Sequence, residues 1–355
     1  MRIAIDAREL SGKPTGVGRY LGGLLREWTA DSAQADHGHE VTLYSHRPVE
    51  WAAGRCPVRI VPGAGGTVWE QRDLRRVVAA DRADVLFSPA YSTPLLTRVP
   101  RVVALHDISF AARPDWFRWR EGLRRRTLAR RSASASRAVI TISEFSRGEI
   151  VQRFGVGAEK IHVIPPGVDR PDTGSGAAPD GRVHLLYVGS IFNRRHIPTL
   201  IEAFGHTAQR RPDAHLHIVG DNRSYPVEDI AACLAASPAA SQVTWHRYVP
   251  DAQLQELYAQ ASGFVFLSEY EGLGLTPLEA LSCGIPSVLL DTAEARESCG
   301  DAALYVPLAS TTAIAQALDL LLYDVETRRR LLSAAPSTLA RYDWTRAARD
   351  TMRVL

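Results

Sequence analysis

The sequence predicts an α/β protein made of two parallel sheets in tandem, each covered by helices. Three observations carry that prediction. Short β-branched runs alternate with polar or helically spaced sequence from the first residues onward. The alternation breaks once, at 169–182, where Asp-Arg-Pro-Asp-Thr-Gly-Ser-Gly-Ala-Ala-Pro-Asp-Gly-Arg is small, polar and rich in Pro and Gly, and then it restarts. The length, 355 residues, suits two domains of Rossmann size, at roughly 100 to 200 residues per domain.

A first strand is expected over Arg2 to Asp6. After it, Thr15-Gly16-Val17-Gly18-Arg19-Tyr20 reads as a glycine-rich loop entering a helix that places Leu21, Leu24, Leu25 and Trp28 on one face. Further strands are expected at Val41 to Tyr44, Val85 to Phe87, Val102 to Leu105 and Val139 to Ile142. The last runs into Ser143-Glu144-Phe145-Ser146, where Ser146 and Glu149 have capping-box spacing for a helix reaching Phe154. Past the interruption, Val183 to Val188 reads as a strand, and Ile197, Leu200, Ile201 and Phe204 as one helix face. Strands at Leu216 to Val219, Phe264 to Leu267 and Ser287 to Leu290 complete the pattern, with a helix starting near Pro277.

Composition narrows the class. With 45% apolar and 23% charged residues the chain is ordinary for a globular protein. It has no run of about 18 apolar residues and no apolar leader, so neither a transmembrane span nor a signal peptide is expected. Cys56, Cys233, Cys283 and Cys299 lie far apart without metal-site spacing, which argues against disulfides and zinc and fits a reducing cytoplasm. Charge is uneven: residues 1–165 hold 26 Lys+Arg against 17 Asp+Glu, and residues 166–355 hold 16 against 22.

The densest chemistry is Ser268-Glu269-Tyr270-Glu271-Gly272-Leu273-Gly274-Leu275-Thr276-Pro277-Leu278-Glu279-Ala280, between a strand and a helix. Amides at such a helix start attract phosphate, and the glycines at 272 and 274 let a ligand approach the main chain. Glu271 and Glu279 are acceptors at two separated points, suited to vicinal hydroxyls; the plainer alternative is a tight loop with a solvated acid at each end. Gly189-Ser190-Ile191-Phe192-Asn193-Arg194-Arg195-His196 also joins a strand to a helix, and two adjacent cations there would neutralise a departing diphosphate. His106 ends a strand, where open parallel sheets bind ligands, although a lone histidine there is more often a hydrogen-bonded rim residue.

The Glu-Gly-x-Gly-Leu-x-x-x-Glu-Ala pattern at 271–280, followed by Cys283-Gly284-Ile285-Pro286, resembles the Glu-x7-Glu signature of glycosyltransferase family 4. The stretches Thr15 to Tyr20, Leu105-His106-Asp107, Ser143 to Ser146 and Ile164 to Asp169 match that family in the same order, so the resemblance spans nearly the whole chain. It implies a GT-B fold, two Rossmann-like domains facing each other across a cleft. An acceptor-binding domain would occupy 1–170, a nucleotide-sugar-binding domain 171–335, and a helix in 336–355 would cross back to the first. It implies retaining, metal-independent transfer of a hexose from a nucleotide-diphosphate sugar, with no cofactor.

By that resemblance His106 faces the donor sugar, Glu271 orients it, Glu279 holds the ribose, and the amides of Gly274, Leu275 and Thr276 meet the phosphates. Gly272, Leu273, Gly189 and Ser190 line the same site, Tyr248 and Val249 lie beside the base, and Gly16, Val17 and Gly18 close over the diphosphate. Arg194 matches the family pattern, whereas Arg195 stands in place of a lysine and His196 in place of an asparagine. The opening Ile-Asp-Ala-Arg and Leu-His-Asp-Ile-Ser-Phe resemble a bacterial mannosyltransferase-like branch that builds O-antigen and other polysaccharides, which favours GDP-mannose as donor and a saccharide or lipid-linked saccharide as acceptor. A catalytically silent nucleotide-sugar binder, or a GT-B epimerase or phosphorylase, remains an alternative; Lys13 and Lys160 are the only lysines, so the second domain has none for pyridoxal phosphate.

A Rossmann dehydrogenase fits poorly, because about ten residues separate the first strand from Gly16-x-Gly18-x-x-x-Gly22. No Asp-x-Asp pair ends a strand, which disfavours a metal-dependent transferase. Between Arg113 and Arg137 nine arginines accompany Trp116, Phe117 and Trp119. That is either a face for an anionic membrane, placing a cytoplasmic enzyme peripherally on the inner face of the cell membrane, or a solvated helix whose aromatics enter the core. Nucleic acid is not expected as a partner, given the acidic second half and the lack of a binding motif.

Overall fold

The computed structural model describes residues 1–12, 15–30, 39–50, 56–171, 181–308 and 310–355. The chain divides into two compact units, Met1–Gly167 with Tyr342–Leu355, and Val168–Arg341. Lys13 and most of the expected linker, 172–180, lie outside the described residues.

The first unit holds β1 (Arg2–Asp6), α1 (Gly16–Ala30), β2 (Glu40–Ser45), β3 (Val58–Ile60), α2 (66–80), β4 (Val85–Ser88) and β5 (Arg101–Ala104). After these come α3 (Trp119–Ala135), β6 (Ala138–Thr141), α4 (Glu144–Phe154) and β7 (Ile161–Val163). Its strands pair in parallel in the order β3-β2-β1-β4-β5-β6-β7, with Ile5 opposite both Leu43 and Phe87. β4 and β6 are buried at every position, as expected for strands covered on both faces. The glycine-rich loop expected at Gly16, Val17 and Gly18 is instead the first turn of α1. Thr15 Oγ1 accepts the Gly18 N–H at 3.0 Å and donates to Glu9 Oε2 at 2.9 Å. A Cβ on Gly18 would stand 2.5 Å from the Glu9 carbonyl oxygen, so this glycine serves close approach rather than mobility. The cap of α4 also differs from expectation: Ser143 caps it by accepting the Ser146 N–H, and Ser146 Oγ donates to the His106 carbonyl at 3.1 Å.

Around the start of α3 the two readings of the arginine segment divide the aromatics between them. Phe117 packs edge-on against Phe110, in the cluster around Val103 and Ile150, while Trp119 stays 70% exposed.

The second unit holds β8 (Val183–Val188), α5 (Ile197–Arg210), β9 (Ala214–Val219), α6 (Ile230–Ala236), β10 (Val243–His246), α7 (Asp251–Gln260) and β11 (Ala261–Phe266). These are followed by α8 (Leu275–Ser282), β12 (Ser287–Leu290), α9 (Ala293–Cys299), β13 (Ala303–Val306), α10 (Thr311–Tyr323), α11 (Val325–Ser333) and α12 (Ala335–Leu339). This sheet is parallel in the order β10-β9-β8-β11-β12-β13. The tail 336–355 is not a single helix. Most of α12 falls within it and belongs to the second unit, and α13 (Trp344–Val354) belongs to the first, where Ala347, Ala348 and Leu355 join the core around Ile3, Leu21 and Phe87. Among the described residues no helix is long and apolar enough to cross a membrane.

Candidate active site

Both sheets reverse their strand order once, at β1/β4 and at β8/β11, and open parallel sheets bind ligands beyond the carboxyl ends of their strands at such reversals. In the second unit β8 runs out into Gly189 and Ser190, and β11 into Leu267 to Glu271. A Cβ on Gly189 would stand 2.6 Å from Arg195 Nη1, so glycine is what lets the arginine lie across the end of β8. Arg195 Nη1 donates to the Ser190 carbonyl at 2.8 Å, and its Nε donates to Glu271 Oε1 at 2.9 Å. The guanidinium also lies 4.8 Å from the Phe266 ring centre. Arg194 Nε donates to the Tyr270 carbonyl at 3.2 Å and stands 3.8 Å from Glu271 Oε1. His196, with φ 48, ends the turn, its Nε2 2.7 Å from Glu269 Oε1 but outside hydrogen-bonding alignment.

Glu271 is therefore held rather than solvated. Ser268 Oγ donates to the same Oε1 at 2.8 Å, and none of these bonds falls on Oε2. Burial pushes its carboxyl up, and Arg195 and Arg194, helped by the Ser268 and Arg195 hydrogen bonds, outweigh it and hold the pKa below the usual range. The stability this adds is present above the unfolded pKa and is lost as pH falls through the folded one. Glu294 behaves oppositely. Its Oε1 accepts the Glu271 N–H at 3.2 Å, and burial lifts its pKa from 4.5 to about 7 against the pull of backbone N–H groups.

A raised carboxyl pKa makes the native state bind more protons than the unfolded one, so stability falls as pH rises between the two values. Glu294→Gln is expected to keep the acceptor, flatten that slope between pH 4.5 and 7, and stabilise the protein at pH 8 by about 2 kcal/mol. Melting curves across that range check it; an unchanged slope would mean that Glu294 is not the group responsible.

Next to Glu271, α8 starts at Gly274, whose φ of 82 suits glycine and which supplies no side-chain cap. Leu275 and Thr276 of the first turn are partly exposed residues, and Pro277 has no N–H. Uncapped amides at the positive end of a helix are an anion site. Gly272 and Leu273 are buried behind this turn, and Glu279 sits half-exposed within α8. Tyr248 and Val249 follow β10, the first 67% exposed and the second buried.

His106, Gly16, Val17 and Gly18 belong to the first unit. His106 follows β5, buried, and its Nε2 bonds to the Pro89 carbonyl at 2.8 Å. Burial pushes its pKa down, against the Pro89 bond and Asp107, so the neutral imidazole is favoured. Tyr20 of α1 packs edge-on to it, with ring centres 4.6 Å apart, which brings the start of α1 beside His106. Sequence reasoning missed Glu294 and the buried group Asp6, Arg8 and Glu70. Arg8 Nη2 lies 2.6 Å from Asp6 Oδ2 and 2.5 Å from Glu70 Oε2, and no local pattern announces a partner 62 residues away.

One of two doubly wound parallel sheets thus carries an arginine-locked glutamate beside a helix start with no side-chain cap. Comparisons with known proteins show the class. The family described as "Glycosyltransferase Family 4" matches residues 14–170, and "Glycosyl transferases group 1" matches residues 170–338. The chain is 30% identical to the GDP-mannose:cellobiosyl-diphosphopolyprenol alpha-mannosyltransferase of Xanthomonas campestris, over 76% of this chain and 68% of that one. It is 24% identical to the O-antigen chain mannosyltransferase B of Escherichia coli, over 91% and 84%. HepE of Anabaena, solved with UDP-glucose, superposes with a TM-score of 0.77 at 18% identity, over the full length of both chains. The chain belongs to glycosyltransferase family 4 and is a hexosyltransferase of the GT-B type.

Proposed function

We propose that the protein is a retaining, metal-independent transferase that moves a hexose, mannose in the first instance, from GDP-mannose to a saccharide or lipid-linked saccharide in cell-surface polysaccharide synthesis. The observation that carries this reading is the Arg195–Glu271 lock beside the uncapped start of α8. The unit around 171–335 takes the donor: diphosphate on the amides of Gly274, Leu275 and Thr276, ribose on Glu279, base beside Tyr248 and Val249. Glu271 offers Oε2 to the sugar hydroxyls. As the bond from C1 to the phosphate oxygen breaks, the electron pair leaves with the nucleoside diphosphate, the acceptor hydroxyl oxygen bonds to C1 and its proton passes to a departing phosphate oxygen, while Arg194, Arg195 and the helix amides take up the growing charge. That arrangement needs no metal. The unit around 1–170, which holds His106, takes the acceptor. The mannosyl donor is favoured by the mannosyltransferases among the relatives.

Calorimetric and thermal-shift titrations with GDP, UDP, dTDP and their sugar conjugates, with and without EDTA, test it. The expected result is a GDP-mannose shift that survives EDTA, equivalent to about 2.7 kcal/mol at a hundred times Kd. A shift with UDP-sugars alone would move the donor assignment, and no shift would favour a silent member of the fold. Slow donor hydrolysis separates a transferase from a binder.

A second reading concerns where the enzyme works. Among the described residues Arg126, Arg130 and Arg131 of α3 and Arg137 just beyond it have no acidic partner, and Trp119 and Leu123 of α3 are 70% and 47% exposed. This supports docking on the anionic inner face of the cell membrane. Sedimentation with vesicles containing phosphatidylglycerol at low salt is the expected result, lost in Arg126→Glu/Arg130→Glu; free protein in the supernatant would defeat the reading.

A further inference from the structure

At the reversal point of the first sheet, beyond β1 and β4, stands a strained residue that the donor reading does not use. Tyr91 has φ 62, and the Ser92 N–H donates to the Ala90 carbonyl at 2.7 Å, closing a three-residue turn with Tyr91 at its centre. A γ-turn of this hand is rare, and a bulky L-residue in it is held at a cost in backbone strain. Glycine would occupy the position without that cost.

Such strain persists only where the surroundings over-determine it, and here they do. The Pro89 carbonyl is bonded by His106 Nε2 at 2.8 Å. Ser92 Oγ donates to Glu70 Oε2 at 2.6 Å. The Thr93 N–H donates to Ser132 Oγ at 3.1 Å, and Gln71 Nε2 donates to the Thr93 carbonyl at 3.0 Å. Glu70 has no exposed surface and lies in a π-helical stretch of α2, Trp69–Leu74, a distortion that frequently marks functional sites. It shares Arg8 with Asp6, and Arg8 Nη1 donates to the Gly66 carbonyl at 3.0 Å. A buried charged group thus ties one short loop in place. The loop sets the Tyr91 ring edge-on to His106 (5.8 Å, 79°) and to Phe110 (6.0 Å, 82°), while the residue keeps part of its surface exposed.

We infer that Tyr91 is the saccharide-recognition platform of the first unit, its ring stacking on the C–H face of the acceptor sugar beside His106. The Asp6–Arg8–Glu70 group positions it through Ser92. An aromatic face with a polar tip matches a hexopyranose, which has an apolar C–H face and a hydroxyl rim. The inference rests on the transferase reading above and adds the residue that would select the acceptor.

Methyl α-D-mannopyranoside is the probe, with its binding measured by saturation-transfer NMR and the nucleotide-induced melting shift recorded on the same samples. Tyr91→Gly, which removes ring and strain together, is expected to weaken the probe at least tenfold while the nucleotide shift is retained. Tyr91→Phe should bind within threefold of the parent. Ser92→Ala, which unties the loop without touching the ring, should weaken the probe threefold or more, and Ser92→Thr should restore it. Unchanged probe binding in Tyr91→Gly overturns the inference. So does a parent protein that binds its nucleotide but neither this mannoside nor the corresponding glucoside. Absence of any nucleotide shift in the parent strikes the transferase reading instead, a separate and recognisable failure.

Discussion

Glu271→Ala is expected to lower donor turnover at least a hundredfold and to destabilise the protein by about 3 kcal/mol, because it removes one half of a buried ion pair. Arg195 has a side chain only 13% exposed, so losing Glu271 leaves a guanidinium that the Ser190 carbonyl and the Phe266 ring balance only in part. Glu271→Gln keeps an acceptor for Ser268 and Arg195 and should cost less stability while still losing turnover. The double variant Arg195→Met/Glu271→Gln separates the two effects. With the Arg195 charge removed as well, and Arg194 losing only its 3.8 Å contact with Glu271, it should recover much of the stability lost by Glu271→Ala and none of the activity. Urea melts and GDP-mannose hydrolysis check this. Recovered activity in the double variant would mean that the pair serves packing alone, and normal hydrolysis in Glu271→Ala would remove Glu271 from the site.

How much of this was legible in the sequence depended on distance along the chain and on burial. β4, β6 and β12 are buried at every position, so their continuous apolar runs stood out. β3, β7, β10 and β13 were missed: all four are edge strands, short and partly exposed, and Val58–Ile60 or Val243–His246 offers no apolar run to detect. The arginine pair and Glu271 were readable because each sits on one strand-to-helix connection with its own local pattern. The glycines at 16 and 18 read as a closing loop because sequence shows the missing side chains and not the helical turn they form or the Glu9 carbonyl packed against Gly18. Ser146 and Ser143 both have cap-forming side chains, and only backbone geometry decides that Ser143 is the cap. Glu294 and Glu70 act on groups 23 and 62 residues away, across the fold, where no spacing rule reaches.

The other large effect concerns the terminal helix rather than the chemistry. Gly23→Ala is expected to destabilise the first unit by about 2 kcal/mol, although alanine favours a helix over glycine by about 1 kcal/mol. The reason is Trp344, whose ring atoms would stand 2.5 Å from a Cβ at position 23 in the middle of α1. Trp28 Nε1 donates to the Ala348 carbonyl at 3.0 Å and Thr345 Oγ1 donates to Glu27 Oε2 at 2.8 Å, so α13 cannot slide away without losing bonds. Gly167 meets the same residue from another side: a Cβ there would overlap Trp344 Cγ and come within 2.5 Å of its backbone nitrogen. Gly167→Ala is therefore the more damaging change, since a rotamer change can move a ring but not a main chain. Trp344→Ala alone should cost about 3 kcal/mol through the cavity it leaves. Combined with Gly23→Ala it should cost less than the sum, because the new methyl then fills space the ring has vacated, whereas Gly167→Ala should stay costly in that background. Gly148→Ala is the control, since nothing lies within 4 Å of a Cβ there and α4 should gain the full propensity term. Thermal melts of the six variants decide it. Strict additivity between positions 23 and 344 would mean that Trp344 does not press on α1, and that the terminal helix is held by its hydrogen bonds alone.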